Sequence, residues 1–142
     1  MTIAAILDGK GDSVISTSGD ASVADAVTLL AEKRIGAVPV LSGRTVAGIF
    51  SERDVLYCVA REGAAALNRK VSEVMTAPAI TVEPGESVLG ALALMTKRRI
   101  RHLPVVEAGA CVGFVSIGDL VKYRIERIES EAEAMRVYIQ TA

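Results

Sequence analysis

Hydrophobic positions change period along this chain in a set order, and the order then recurs. Val14 to Thr17 is short and β-branched, which predicts a strand, and Gly19 and Asp20 turn the chain after it. Val23, Ala26, Val27, Leu30 and Ala31 recur at helical spacing through Arg34. Ser22 is placed as the N-cap, with Asp25 three residues on as a weak capping box. A strand follows over Ala37 to Leu41, where Pro39 suits an edge or entry position. Ser42-Gly43-Arg44 links it to a strand over Val46 to Phe50, and a helix runs from about Glu52 to Arg61. In the second half Ile80 to Val82 reads as a strand, Pro84-Gly85 as a turn and Ser87 to about Arg99 as a helix. Leu103 to Val106 and Cys111 to Val115 read as strands, and a last helix starts near Gly118. Short helical pieces, Ile3 to Leu7 and Val71 to Met75, lead into the two halves.

The recurrence is a tandem repeat. Residues 15–59 moved forward by 65 positions align with 80–124 without a gap, and twelve positions are identical. Most of these are apolar or backbone-special, as a shared core requires. Ser51/Ser116 and Asp54/Asp119 are polar at matched spacing, which core packing does not demand. The fold class is therefore α/β (α+β): two β-α-β-β-α repeats packed about a pseudo-twofold axis, with a long C-terminal helix. The chain divides as 1–62 for the first repeat with its lead-in, 63–126 for the second with its linker, and 127–142 for a helical extension. A 60-residue unit alone buries only about 60% of its unfolded surface, so the repeats are expected to share one core.

The last helix outruns its counterpart. Val121, Ile125, Ile128, Ala132, Met135 and Ile139 step by 4, 3, 4, 3, 4, a seam of about three heptads flanked by Glu126, Arg127, Glu129, Glu131, Glu133 and Arg136. The pattern favours packing on a partner helix; packing on its own domain is the other reading.

Composition narrows the function classes. Of 142 residues, 51% are hydrophobic and 4% aromatic, an Ala/Val/Ile/Leu filling typical of α/β packing. A net charge of −1 gives no global field toward nucleic acid. No apolar run reaches the roughly 18 residues of a membrane span, and residues 1–10 lack a signal-peptide layout. Cys58 and Cys111 lie in apolar stretches at unmatched positions, so two buried, reduced thiols in a cytoplasmic protein are expected. One His and two unpaired Cys do not make the usual zinc spacings. No nucleophile elbow, P-loop or dinucleotide Gly-rich run occurs, and we expect no enzyme.

Gly48-Ile49-Phe50-Ser51-Glu52-Arg53-Asp54 and Gly113-Phe114-Val115-Ser116-Ile117-Gly118-Asp119 share Gly, two apolar residues, Ser, two variable residues and Asp. With the repeat and element order, they resemble a pair of CBS (cystathionine-beta-synthase) domains, also called a Bateman module, over about residues 3–126. The resemblance implies a regulatory, non-catalytic module whose paired repeats form a cleft for adenosine-containing ligands: AMP, ADP, ATP, NAD or S-adenosylmethionine. It also implies pairing of two modules into a flat disc, hence a homodimer, and control of a partner protein.

An ionised Asp can hold vicinal ribose hydroxyls bidentately, and Asp54 and Asp119 lie where helices start. First-turn N–H groups and the Ser51 or Ser116 hydroxyl can meet phosphate or ribose oxygens. The plainer alternative is that both Asp residues only complement helix N-termini. Basic charge is unequal: Lys97-Arg98-Arg99-Ile100-Arg101-His102 stands opposite Glu32-Lys33-Arg34-Ile35-Gly36-Ala37. Lys97 and Arg98 suit a helix C-terminus, whereas Arg101 and His102 fall at a strand start. In the family, basic residues at the Arg99, Arg101 and His102 positions face phosphates, and the ribose Asp comes from the opposite repeat. The resemblance thus implies one well-equipped site: Asp54, Ser51 and Arg53 of the motif, Pro78, Ala79 and Ile80 beside adenine, and Arg99, Arg101 and His102 on phosphate. The sister site has Asp119, Ser116, Val14, Ile15 and Lys33 or Arg34. There Gly36 and Ala37 replace Arg101 and His102, so it is expected to be empty, weaker, or suited to a less charged group. Were His102 to titrate near 6.5, phosphate affinity would rise as pH falls. A nucleotide sensor is the function expected first, and a ligand-independent dimerisation or assembly module is the alternative.

Overall fold

A computed structural model describes residues 1–11 and 13–141. Its elements run α1 (Ile3–Lys10), β1 (Thr17–Ser18), α2 (Val23–Lys33), β2 (Ala37–Ser42), β3 (Thr45–Ser51) and α3 (Glu52–Glu62). A 3-10 helix (Gly63–Asn68) and α4 (Val71–Val74) lead to α5 (Val88–Arg98), β4 (His102–Glu107), β5 (Ala110–Ser116) and α6 (Ile117–Thr141). The repeat survives to the level of single residues. Bounds of α2, β2 and β3 recur in α5, β4 and β5, and the hairpin irregularity at Val40/Leu41 recurs at Val105/Val106. Ser22 and Ser87 cap α2 and α5, their hydroxyls accepting from Asp25 N (3.0 Å) and Gly90 N (2.9 Å).

The first strand of each repeat is shorter than its β-branched run. β1 pairs in parallel with β2 through Thr17 and Ser18 only. In the second repeat one parallel bridge, Val82 to Val105, replaces a strand. Val82 N donates to Pro104 O (3.0 Å) and Val106 N donates to Val82 O (2.8 Å). The next rung needs an N–H at position 84, and Pro84 has none.

Two buried clusters form rather than one. One joins Val23, Ala26, Leu30, Val38, Val40 and Phe50 to Ala66 and Val71 of the linker. The other joins Val82, Val88, Met95, Leu103, Val105 and Leu120 to Ile3 and Ile6 of α1. Each lead-in thus completes a core away from the half it was grouped with. The division at 62/63 follows the sequence, whereas the cores are partitioned by packing. Backbone pairing holds this exchange: Thr2 bridges Ser87 as Lys70 bridges Ser22. Ile3 N donates to Glu86 O and Val71 N donates to Ala21 O, at 2.9 and 2.8 Å. Gly48 is required where the linker crosses β3, since a Cβ there would lie 2.7 Å from the Thr76 carbonyl oxygen. Cys58 is buried, Cys111 is half-buried, and both are free thiols.

The heptad seam of α6 does not pack on its own domain. Val121, Ile125, Ile128, Met135 and Ile139 are all exposed, and every residue from Glu126 to Thr141 faces solvent.

Candidate functional site

The Ser-x-x-Asp pairs have a local structural role. Ser51 N donates to Asp54 Oδ2 (2.9 Å), Ser51 Oγ donates to the same oxygen (3.1 Å), and Asp54 N donates to Ser51 Oγ (3.4 Å). Ser116 N donates to Asp119 Oδ2 (2.9 Å), and Asp119 N donates to Ser116 Oγ (3.1 Å). These reciprocal boxes cap α3 and α6, and each contributes about 1 kcal/mol. Capping explains why Ser and Asp sit three residues apart. It engages Oδ2 in both copies.

Beside Asp54 lies a cleft of about 600 Å³, walled by both repeats. Ser51, Arg53 and Asp54 come from the β3–α3 junction, Pro78, Ala79 and Ile80 from the linker, and Arg99, Arg101 and His102 from the α5–β4 turn. The basic residues reach it because α5 stops at Arg98, and Arg99, the C-cap, takes left-handed backbone (φ 55°) that redirects the chain. All nine residues expected at this site line the one cleft. Sequence reading missed Tyr57, Thr76, Glu52 and Gly36 on its walls. Thr76 matters most, because its hydroxyl donates to Asp54 Oδ1 at 2.9 Å. Its signal is indirect: Thr76 follows the linker helix and pairs with Ile49 across Gly48.

A second cleft, about 410 Å³, is lined by Ser116, Asp119, Val14, Ile15 and Arg34, with His102 on its wall as well. Lys33 does not line it. Lys33 ends α2 on the exposed face, and Arg34, in left-handed backbone (φ 53°), turns into the cleft instead. The unforeseen occupant is Lys10. Its Nζ donates to Asp119 Oδ2 at 2.6 Å and to the Phe114 carbonyl at 2.8 Å. Lys10 falls outside the aligned repeat and reaches this cleft only because α1 packs with the second repeat. Partial burial pushes the Asp119 carboxyl upward, but the Lys10 hydrogen bond and the Ser116 backbone N–H outweigh it and hold it below the usual Asp value.

His102 stands between the two clefts, stacked on Phe114 with ring centroids 5.5 Å apart and planes 10° from parallel. Burial is the largest influence on it and pulls the imidazole below 6.5. Asp119 and Glu52 oppose that pull, while Lys10 and Arg101 add to it. The neutral ring is the form this setting favours. Among the described residues, no group of three His, Cys, Asp or Glu side chains is arranged to hold a metal ion. Nor, among the described residues, is any helix long and apolar enough to cross a membrane.

Comparison with known proteins agrees with this architecture. The model of the CBS domain matches residues 11–61 and 71–126. A mitochondrial CBS domain-containing protein of Arabidopsis thaliana is 35% identical over 148 aligned positions, spanning 98% of this chain and 72% of that one. The crystal structure of a CBS-domain containing protein from Agrobacterium tumefaciens superposes with a TM-score of 0.83 at 38% identity, over 87% of this chain and 99% of that one. A CBS domain protein of Pyrobaculum aerophilum, solved in complex with AMP, superposes with a TM-score of 0.74 at 28% identity, over 84% and 89% of the two chains. With repeat, fold and motif in agreement over nearly its whole length, the chain belongs to the CBS domain family and carries the domain twice in tandem.

Proposed function

We propose that this chain is a regulatory, non-catalytic module that binds an adenine nucleotide of the AMP, ADP, ATP or NAD class in the Asp54 cleft. The observation that carries the reading is the composition of that cleft: a carboxylate edge, an apolar slot and four basic side chains, Arg53, Arg99, Arg101 and His102, contributed by both repeats. Asp54 Oδ1 accepts from the ribose hydroxyls, with Thr76 holding the carboxylate in place. Pro78, Ala79 and Ile80 border the base, and Arg99, Arg101 and His102 face the phosphates. The AMP complex of the Pyrobaculum aerophilum relative supports this ligand class.

A ligand that touches both repeats favours one angle between them. A partner protein, or the contact between two modules of a homodimer, then reads occupancy with a coupling of about 1–3 kcal/mol. The test is calorimetric titration of ligand-stripped protein with AMP, ADP, ATP, NAD⁺ and S-adenosylmethionine. Asp54→Ala should abolish binding of the preferred nucleotide, Arg101→Ser should weaken it at least tenfold, and Asp119→Ala should affect it less. Absence of heat with every adenine ligand would leave the assembly module, a reading that the bare seam on α6 favours.

A further inference from the structure

The exposed end of α6 has a charge pattern that selects its partner. We infer that it pairs with the same segment of a second copy of this chain, as a parallel, in-register, two-stranded coiled coil. From Glu126 to Thr141 every residue of the helix is exposed, and a helix of that length standing alone in water is marginal. Its seam places Ile125, Ala132 and Ile139 at one core position of the heptad and Val121, Ile128 and Met135 at the other. Five of these six are large apolar residues left bare on the single chain. The small Ala132 at mid-seam lets two backbones come close.

The flanking charges set the orientation. In a parallel pair each residue just before the 125, 132 or 139 core position faces the residue five further on in the partner helix. Arg124 then meets Glu129, and Glu131 meets Arg136, so twofold symmetry gives four contacts of opposite sign. In an antiparallel pair with the same overlap, Glu129 meets Glu129, Glu131 meets Glu131 and Lys122 meets Arg136, all of like sign. Within one helix, Arg136 bonds Glu133 (3.0 Å) and Arg127 bonds Glu131 (3.3 Å). These pairs are exposed, so their rearrangement on association costs little. Glu129 has no ion-pair partner among the described residues.

An Ile139→Cys variant should form a disulfide-linked dimer under mild oxidation that the native chain does not. In a parallel pair the two positions adjoin, whereas in the antiparallel pair they lie about 27 Å apart at 1.5 Å per residue. Ile128→Asp, which buries a carboxylate in the seam, should raise the association Kd by about 100-fold. Glu131→Arg and Arg136→Glu should each weaken association, and their combination should restore it. A chain that stays monomeric, or a dimer in which Ile139→Cys does not cross-link, overturns the proposal and assigns the seam to another protein. Because α6 extends beyond both cores, unchanged thermal unfolding of each variant checks that the body is intact.

Discussion

Replacing Lys10 by Met should uncover Asp119, and the size of the effect follows from the contact. Lys10 Nζ and Asp119 Oδ2 are 2.6 Å apart, with 43% and 30% of their side chains exposed. A pair so open to water contributes a few tenths of a kcal/mol, within the 0–1 kcal/mol range of exposed pairs, and the second bond to the Phe114 carbonyl brings the loss to about 1 kcal/mol. Unfolding entropy near 2.1 cal/mol/K per residue gives about 0.3 kcal/mol/K for this chain, so melting should fall by about 3 °C. The same interaction opposes any ligand that needs Asp119, because ribose hydroxyls must first displace the ammonium. Its removal should therefore raise the affinity of a neutral nucleoside at that cleft about fivefold. Calorimetric titration with adenosine should resolve a stronger second binding event in Lys10→Met than in the native protein. AMP should gain less, since the substitution removes a cation along with the obstruction. An adenosine isotherm identical to the native one, in a variant whose melting point has dropped, would refute the view that Lys10 competes for Asp119.

Two further outcomes rest on single contacts. Gly48→Ala drives a Cβ to 2.7 Å from the Thr76 carbonyl oxygen, a backbone atom in a two-way bridge with Ile49, so urea unfolding should show a loss of about 2 kcal/mol. Gly113→Ala should be milder, since its Cβ would meet only the movable end of Leu7. For His102, burial lowers the folded imidazole below 6.5, so the unfolded chain takes the proton first. Its contribution to stability is whole above pH 6.5 and is lost as pH falls from there through the folded value. A bound phosphate favours the charged ring, so AMP affinity should move the other way over that window. The ratio of native to His102→Gln affinity should rise as pH falls, and using the ratio cancels the phosphate's own titration near pH 6. A flat ratio between pH 5 and 7 would remove His102 from the phosphate subsite.

The elements were legible because the repeat supplies each twice, and Ser22 and Ser87, or Arg34 and Arg99, behave alike wherever the sequence repeats. What the repeat cannot carry is contact between segments outside the alignment. Lys10 against Asp119 and Thr76 against Asp54 both come from lead-ins, whose destination depends on which core they complete. The reduced strand at Val82 had a readable cause in Pro84, which the β-branched run outweighed in the sequence reading. Both sequence readings of Ser51 and Asp54, cleft lining and helix capping, hold together in the structure, because the cap that ties Asp54 Oδ2 to Ser51 also fixes the carboxylate at the cleft wall.

The exchange of lead-ins also bears on how the molecule is made. Residues 23–75 hold the whole first core in one continuous stretch, so that core is complete early in synthesis. The second spans Ile3 to Leu120, which leaves Ile3 and Ile6 without their partners until the last helix has begun. At about 5–20 residues per second on the ribosome, that delay lasts roughly 6–25 s. A nascent chain arrested once residue 80 has cleared the ribosome exit tunnel should therefore carry a protease-resistant first half and a cleavable α1.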